Sequence, residues 1–239
     1  HGGTLRETEK VWGSRSARFS NYSISSPLQD DDAVTFTVAG KQVNEVRHLL
    51  DVGNLLILTS GAELIALGDG TGKLLPGAPG LRQVGSNGAS LVPPLVIGNN
   101  ILYIQARGNL VRDFRSVVSQ DGTQGYAGDD LSVFAPHLLE GNGQTLVRWD
   151  FAQIPNSQAV GVRSDGQLLA LTYVKEHEIV GWTPWDTDGV YEDVLVVPQG
   201  QEDVIYVLVA RTIAGQTRRY LERFASRRVT DVTLDALFR

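Results

Sequence analysis

The chain has 239 residues, 42% hydrophobic and 20% charged, with 27 acidic against 21 basic side chains and a formal charge of −6. That balance excludes the broad basic face of a general nucleic-acid binder, although residues 217–228 (TRRYLERFASRR) form a local basic run. The absence of Cys excludes disulfides, thiol chemistry and cysteine metal sites, and no stretch approaches the roughly 18 to 20 apolar residues of a membrane span, so no membrane partner is expected.

Methionine is absent too, where about five would be expected at a usage of roughly 2%. The first ten residues, HGGTLRETEK, lack the apolar centre of a signal peptide and do not begin with Met. In chain order, the first strand expected is 33–40 (AVTFTVAG), directly after three adjacent aspartates. Strands follow over 54–60 (NLLILTS), 63–68 (ELIALG), 100–106 (NILYIQA) and 109–114 (NLVRDF). Residues 131–141 (LSVFAPHLLEG) read as a short helix weakened by Pro136. Beyond them come strands over 159–164, 167–174, 192–198 and 203–211. Helical periodicity is otherwise scarce, so helix content should stay under about 10%.

One unit recurs along this series: an apolar strand, a tight polar turn and a second strand. It starts at Gly53, Gly98 and Asn156, with a looser copy from Gln201, and the turns SGAE, ARGN, SDGQ and IAGQ each place Gly where a hairpin uses positive φ. A hairpin-bearing repeat every roughly 40 to 50 residues is the period of propeller blades, since one small sheet cannot bury both its faces alone. The expected fold is therefore all-β, a β-propeller or propeller-like array of four-stranded blades with 1–239 as a single domain, a sandwich or irregular β assembly being the alternative.

The chemistry is sparse. Asp30, Asp31 and Asp32 could hold a metal, share a proton or close a turn. Calcium loops alternate their ligands and bend at Gly, whereas adjacent strand residues face opposite sides, so these aspartates read as a turn or strand cap. Asp129 and Asp130, before LSVFA, read as a helix-start signal. No G-x-S-x-G elbow occurs, and His1, His48, His137 and His177 lack metal-ligand spacing. His48 reads as a strand-edge residue and His177 as part of a solvated tip.

The Gly-rich stretch 66–80 (ALGDGTGKLLPGAPG) lacks the P-loop spacer and a following helix, so it reads as a connection. Trp182 and Trp185 could stack on a sugar or cap the core. No residue is assigned to catalysis, a cofactor or a metal, and the chain is not expected to be an enzyme.

Five stretches in fixed order carry a resemblance. They are 11–38 (VWGSRSARFSNYSISSPLQDDDAVTFTV), 46–67 (VRHLLDVGNLLILTSGAELIAL), 92–114 (VPPLVIGNNILYIQARGNLVRDF), 125–141 (GYAGDDLSVFAPHLLEG) and 164–189 (SDGQLLALTYVKEHEIVGWTPWDTDG). Together, from Val11 to Phe224, they resemble structural proteins of tailed bacteriophages and prophages, of the tail nozzle or tail tubular type found in short-tailed phages. The resemblance implies a propeller-containing virion component, made in the bacterial host cytoplasm, that docks to other phage tail proteins. It also implies a homo-oligomeric ring, commonly six-fold, around a DNA passage, with only passive contact with the passing DNA. Within it the Asp run is a hallmark without chemistry, so no site residues carry over. The chain starts just before VWGSRS and stops soon after RRYLERF. It is thus expected to be the central part of a longer polypeptide, with ring-forming flanks outside it. The alternative is a carbohydrate-binding or glycan-cleaving propeller using Trp and Asp in a cleft.

Overall fold

The structure, a computed structural model, describes residues 7–38, 44–51, 53–68, 73–77, 80–118, 124–139 and 143–228. His1, the expected strand end at 39–40, residues 69–72 and 78–79 of the Gly-rich connection, and residues 140–141 lie outside them. The protein is all-β, with 56% strand and 4% helix. The chain divides into two compact units, His1–Asp130 and Leu131–Arg239.

In the first unit, β1 (Lys10–Gly13) and β2 (Val34–Thr37) form a two-stranded ribbon. Two four-stranded antiparallel sheets follow, each a meander in chain order: β3 (Val46–Asp51), β4 (Leu55–Thr59), β5 (Glu63–Leu67) and β6 (Gly80–Gly85), then β7 (Leu95–Ile97), β8 (Asn100–Ile104), β9 (Val111–Val118) and β10 (Gln124–Asp130). The β3–β6 sheet is the middle layer. Successive side chains of a strand point to opposite faces. Leu56, Leu58 and Ile65 therefore pack on one side with Ile101, Tyr103 and Phe114, while Ile57, Leu64 and Ala66 pack on the other with Val11, Val34 and Phe36. Burial on both faces explains why β4 and β5 read as unbroken apolar runs rather than alternating ones. Each fully buried Leu or Ile contributes about 1.5–3 kcal/mol.

In the second unit, β11 (Leu146–Ala152), β12 (Gln158–Arg163), β13 (Leu168–Val174) and β14 (Ile179–Trp185) form a third four-stranded meander. β15 (Val190–Gln199), β16 (Glu202–Ile213) and β17 (Gln216–Arg223) form a three-stranded one. Their shared core sets Val160, Val162, Leu168 and Ala170 against Tyr191, Ile205, Val207 and Val209. On β16 only the odd-numbered residues 205, 207 and 209 enter that core, which leaves Tyr206 and Leu208 on the outer face.

The four repeat copies fall at equivalent places. From Gly53, Gly98, Asn156 and Gln201 they form β4–β5, β8–β9, β12–β13 and β16–β17, the second and third strands of each sheet. Positive φ occurs at Gly108, Gly166 and Gly215, as the turn reading expects, and Ala214 joins Gly215 in a two-residue type I′ turn. The SGAE turn is different. Gly61 keeps an ordinary φ, and the turn is held by the buried Thr59 hydroxyl, which donates to the Ala62 carbonyl (2.8 Å) and accepts from the Ala62 N–H (2.9 Å).

The expected short helix is α1 (Pro136–Leu139), and Pro136 occupies its first position, where a missing N–H is harmless. Asp129 and Asp130 do not start it. They end β10, paired with Asp113 and Arg112 of β9, because the sheet ladder takes precedence over a helix-start pattern six residues early.

Candidate functional site

The three aspartates separate sharply. Asp32 is buried, Asp30 and Asp31 are exposed. The alternation of β2, with Val34, Phe36 and Val38 inward, extends back in phase to Asp32. Its Oδ2 accepts the backbone N–H groups of Ser25 (2.9 Å) and Gln29 (2.8 Å). Its Oδ1 accepts the Ser25 hydroxyl (2.8 Å) and lies 3.1 Å from Arg15 Nη1. Burial pushes this carboxyl's pKa up, but the Gln29 and Ser25 hydrogen bonds and the Arg15 charge outweigh that and hold it below the usual carboxylate value. Arg15 Nη2 also reaches Asp31 (2.8 Å), and the Asp31 carbonyl accepts the Ser16 N–H. The run is thus a clamp on residues 15–32. Sequence spacing identified the capping role, not which aspartate performs it or that Arg15 and Ser25 complete it.

The clamped loop carries large apolar side chains outward: Phe19 is 87% exposed, and Ile24, Leu28 and Tyr22 are exposed as well. A second apolar surface covers the outer face of the β15–β17 sheet. There Leu195, Val197, Tyr206, Leu208 and Leu221 line a shallow groove of about 500 Å³, and Leu221 is 75% exposed. Scattered exposed apolar residues are ordinary, but contiguous ones mark surfaces that a partner covers.

The remaining candidates resolve into structural roles. His48 lies on β3, where its Nε2–H donates to the Ser90 carbonyl (2.8 Å), and burial holds its pKa below the ordinary imidazole value, with Arg47 adding to the effect. His137 and His177 are exposed, on α1 and on a 3-10 turn over Lys175–His177. Among the described residues no group of three or more His, Asp or Glu could hold a metal ion, and no helix is long and apolar enough to cross a membrane.

Trp182 donates to the Leu131 carbonyl (2.8 Å), and Trp185 packs on Phe224 with ring centroids 5.2 Å apart, at the margin of the second core. The basic run is largely paired: Arg219 with Glu192 (2.7 Å), Arg223 near Glu202 (4.0 Å) and Arg228 on the Gln201 carbonyl, while Glu222 takes Arg211 (2.7 Å). Arg227 reaches the Gln158 side chain. Charges already partnered this way offer little to a phosphate backbone.

Several buried polar groups gave no full signal in sequence because at least one partner of each is far along the chain. Glu63 accepts the Tyr103 hydroxyl (2.8 Å) and the Asn87 N–H (3.2 Å). Arg163 binds Asp165 (2.6 Å) and the Leu138 carbonyl (2.7 Å), tying α1 to the β12–β13 turn.

Fold and geometry together define an all-β protein of successive antiparallel meanders with two exposed apolar surfaces. No protein-family model and no curated protein matches the chain.

Proposed function

We propose that this chain is a structural component of a phage tail, of the nozzle or tubular type, and that it works through docking surfaces rather than catalysis. The observation that carries the reading is the clamped loop within residues 11–38, the first stretch of the family resemblance. All the hydrogen bonds recorded for the Asp32 carboxylate hold the loop, while Phe19, Tyr22, Ile24 and Leu28 face outward. A loop ordered in this way avoids the entropy loss that flexible segments suffer on binding, and exposed aromatic and aliphatic anchors of this kind dominate protein–protein interfaces. Meander sheets joined in chain order support the propeller reading, each sheet acting as one blade. On this reading neighbouring tail proteins cover the loop, and the protein forms a homo-oligomeric ring around the DNA passage. A net charge of −6 suits a wall that passing DNA does not adhere to.

The test is mass spectrometry of phage particles induced from the bacterium that carries the gene and purified by density gradient. The chain should co-purify with portal and tail proteins at fixed stoichiometry. Particles complete in those proteins but lacking this chain would refute the assignment.

A further inference from the structure

In the first unit a cleft of about 540 Å³ opens between the β3–β4 turn, the β7–β8 turn and the β9–β10 strands. Its volume lies in the roughly 300–1,000 Å³ range of small-molecule sites. The sequence repeat builds it. The copies from Gly53 and Gly98 each open with Gly-Asn, and the fold brings both turns to the same rim, with positive φ at both glycines.

Asn54 of the first turn donates to the Tyr126 hydroxyl (3.1 Å), and the Tyr126 ring stacks on Phe114 at 5.5 Å, nearly parallel. The aromatic wall is therefore held in place before anything binds, and the tyrosyl proton is left to donate. Opposite groups on the rim are the exposed Asp51 carboxylate, an acceptor, and the exposed Asn99 amide, both donor and acceptor. Val96 and Ile101 add apolar surface.

Charge narrows the ligand class. Arg115 lines the cleft but sits 3.0 Å from Asp113 and 2.6 Å from Asp129, so its charge is offset, and Asp51 adds a negative one. An anion meets no surplus cation here. The apolar half of the wall likewise penalises a desolvated cation. What suits the Tyr126 ring, braced on the buried Phe114, with amide, carboxylate and phenol groups at the rim is an uncharged ring with an apolar C–H face and hydroxyls around its edge. We infer that this cleft is a binding site for a neutral carbohydrate, a short oligosaccharide segment. The inference is independent of the tail assignment.

The experiment is calorimetric and saturation-transfer NMR titration of the 239-residue chain with cellotriose, maltotriose, N-acetylglucosamine trimer and galactobiose. Trigalacturonate serves as the anionic comparison. At least one neutral oligomer should bind and trigalacturonate should not. Asn99→Ala, on an exposed turn, and Asp51→Asn, at the exposed end of β3, should each weaken binding about tenfold, as for loss of one hydrogen bond to a sugar hydroxyl, with unchanged melting curves. Tyr126→Phe, which keeps the stack, should weaken it several-fold. Binding of none of the neutral oligomers, preference for trigalacturonate, or binding unchanged in all three variants would overturn the inference.

Discussion

Replacing Thr59 with Val isolates the device that closes the first repeat hairpin. The two side chains are nearly the same shape, so the cavity contribution is small, and only the hydroxyl is lost. The Ala62 carbonyl keeps its bond from the Thr59 N–H (2.9 Å). The Ala62 N–H loses its acceptor while buried, since Ala62 is only 2% exposed. A stranded buried N–H costs about 1–3 kcal/mol, which places Thr59→Val near 2 kcal/mol destabilising. For a chain of this length a loss of 1 kcal/mol lowers Tm by roughly 2–4 °C, so a fall of about 4–8 °C is expected. Urea unfolding followed by Trp fluorescence, read separately for the two units if two transitions appear, measures the loss. Hydrogen exchange should show the Ala62 amide deprotected. Thr59→Ser, which keeps the hydroxyl, should retain that protection. A loss under about 0.5 kcal/mol in Thr59→Val would refute the argument that the hydroxyl, rather than backbone conformation, holds this turn.

Gly88 and Gly215 separate conformational strain from collision. Both have positive φ, but a Cβ on Gly215 meets open space while one on Gly88 would come within 2.5–2.8 Å of the Ser60 and Gly61 backbone. Gly215→Ala should cost about 1–2 kcal/mol and Gly88→Ala about 2–5 kcal/mol, measured by denaturant midpoint; equal losses would contradict the close approach. His48 has a depressed folded-state pKa, so its stabilising contribution is complete above the unfolded value of about 6.5 and is lost as pH falls below it. His48→Gln should flatten the fall in Tm between about pH 7 and pH 5.5, and an unaltered slope would count against it. Asp32→Asn should lower Tm more than Asp31→Asn and expose residues 15–32 to limited proteolysis. The Asp32 contribution, present above the unfolded carboxylate value of about 3.9, should vanish as acid titrates it through its lower folded value; equal sensitivity of the two variants would rule out the clamp.

What the sequence disclosed follows burial. The second and third strands of the four-stranded sheets, and β16 of the three-stranded one, were legible because they are apolar and bounded by turn residues. The outer strands were mostly missed. β6 (GLRQVG) and β10 (QGYAGDD) carry Gly and charge, because a strand paired on one side and wet on the other has little need of apolar residues. The Asp run was read correctly in kind, and extending the β2 alternation backwards would have singled out Asp32. The Arg15 clamp, the Glu63–Tyr103 pair and the Asn54–Tyr126 contact left no local trace. Their partners are 17, 40 and 72 residues apart, and spacing patterns speak only of neighbours within a turn or a strand.

The charges along β17 have a consequence for handling the protein at high concentration. Among the described residues this strand ends its sheet and displays Leu221 beside a long ladder of backbone groups, the arrangement on which stray chains add and precipitates grow. Arg218, Arg219 and Arg223 are exposed along that margin, so an incoming strand must bury charged groups, or break the Arg219–Glu192 pair, before it can add. The residues that read as a basic run in sequence thus guard a sheet edge against indiscriminate strand addition.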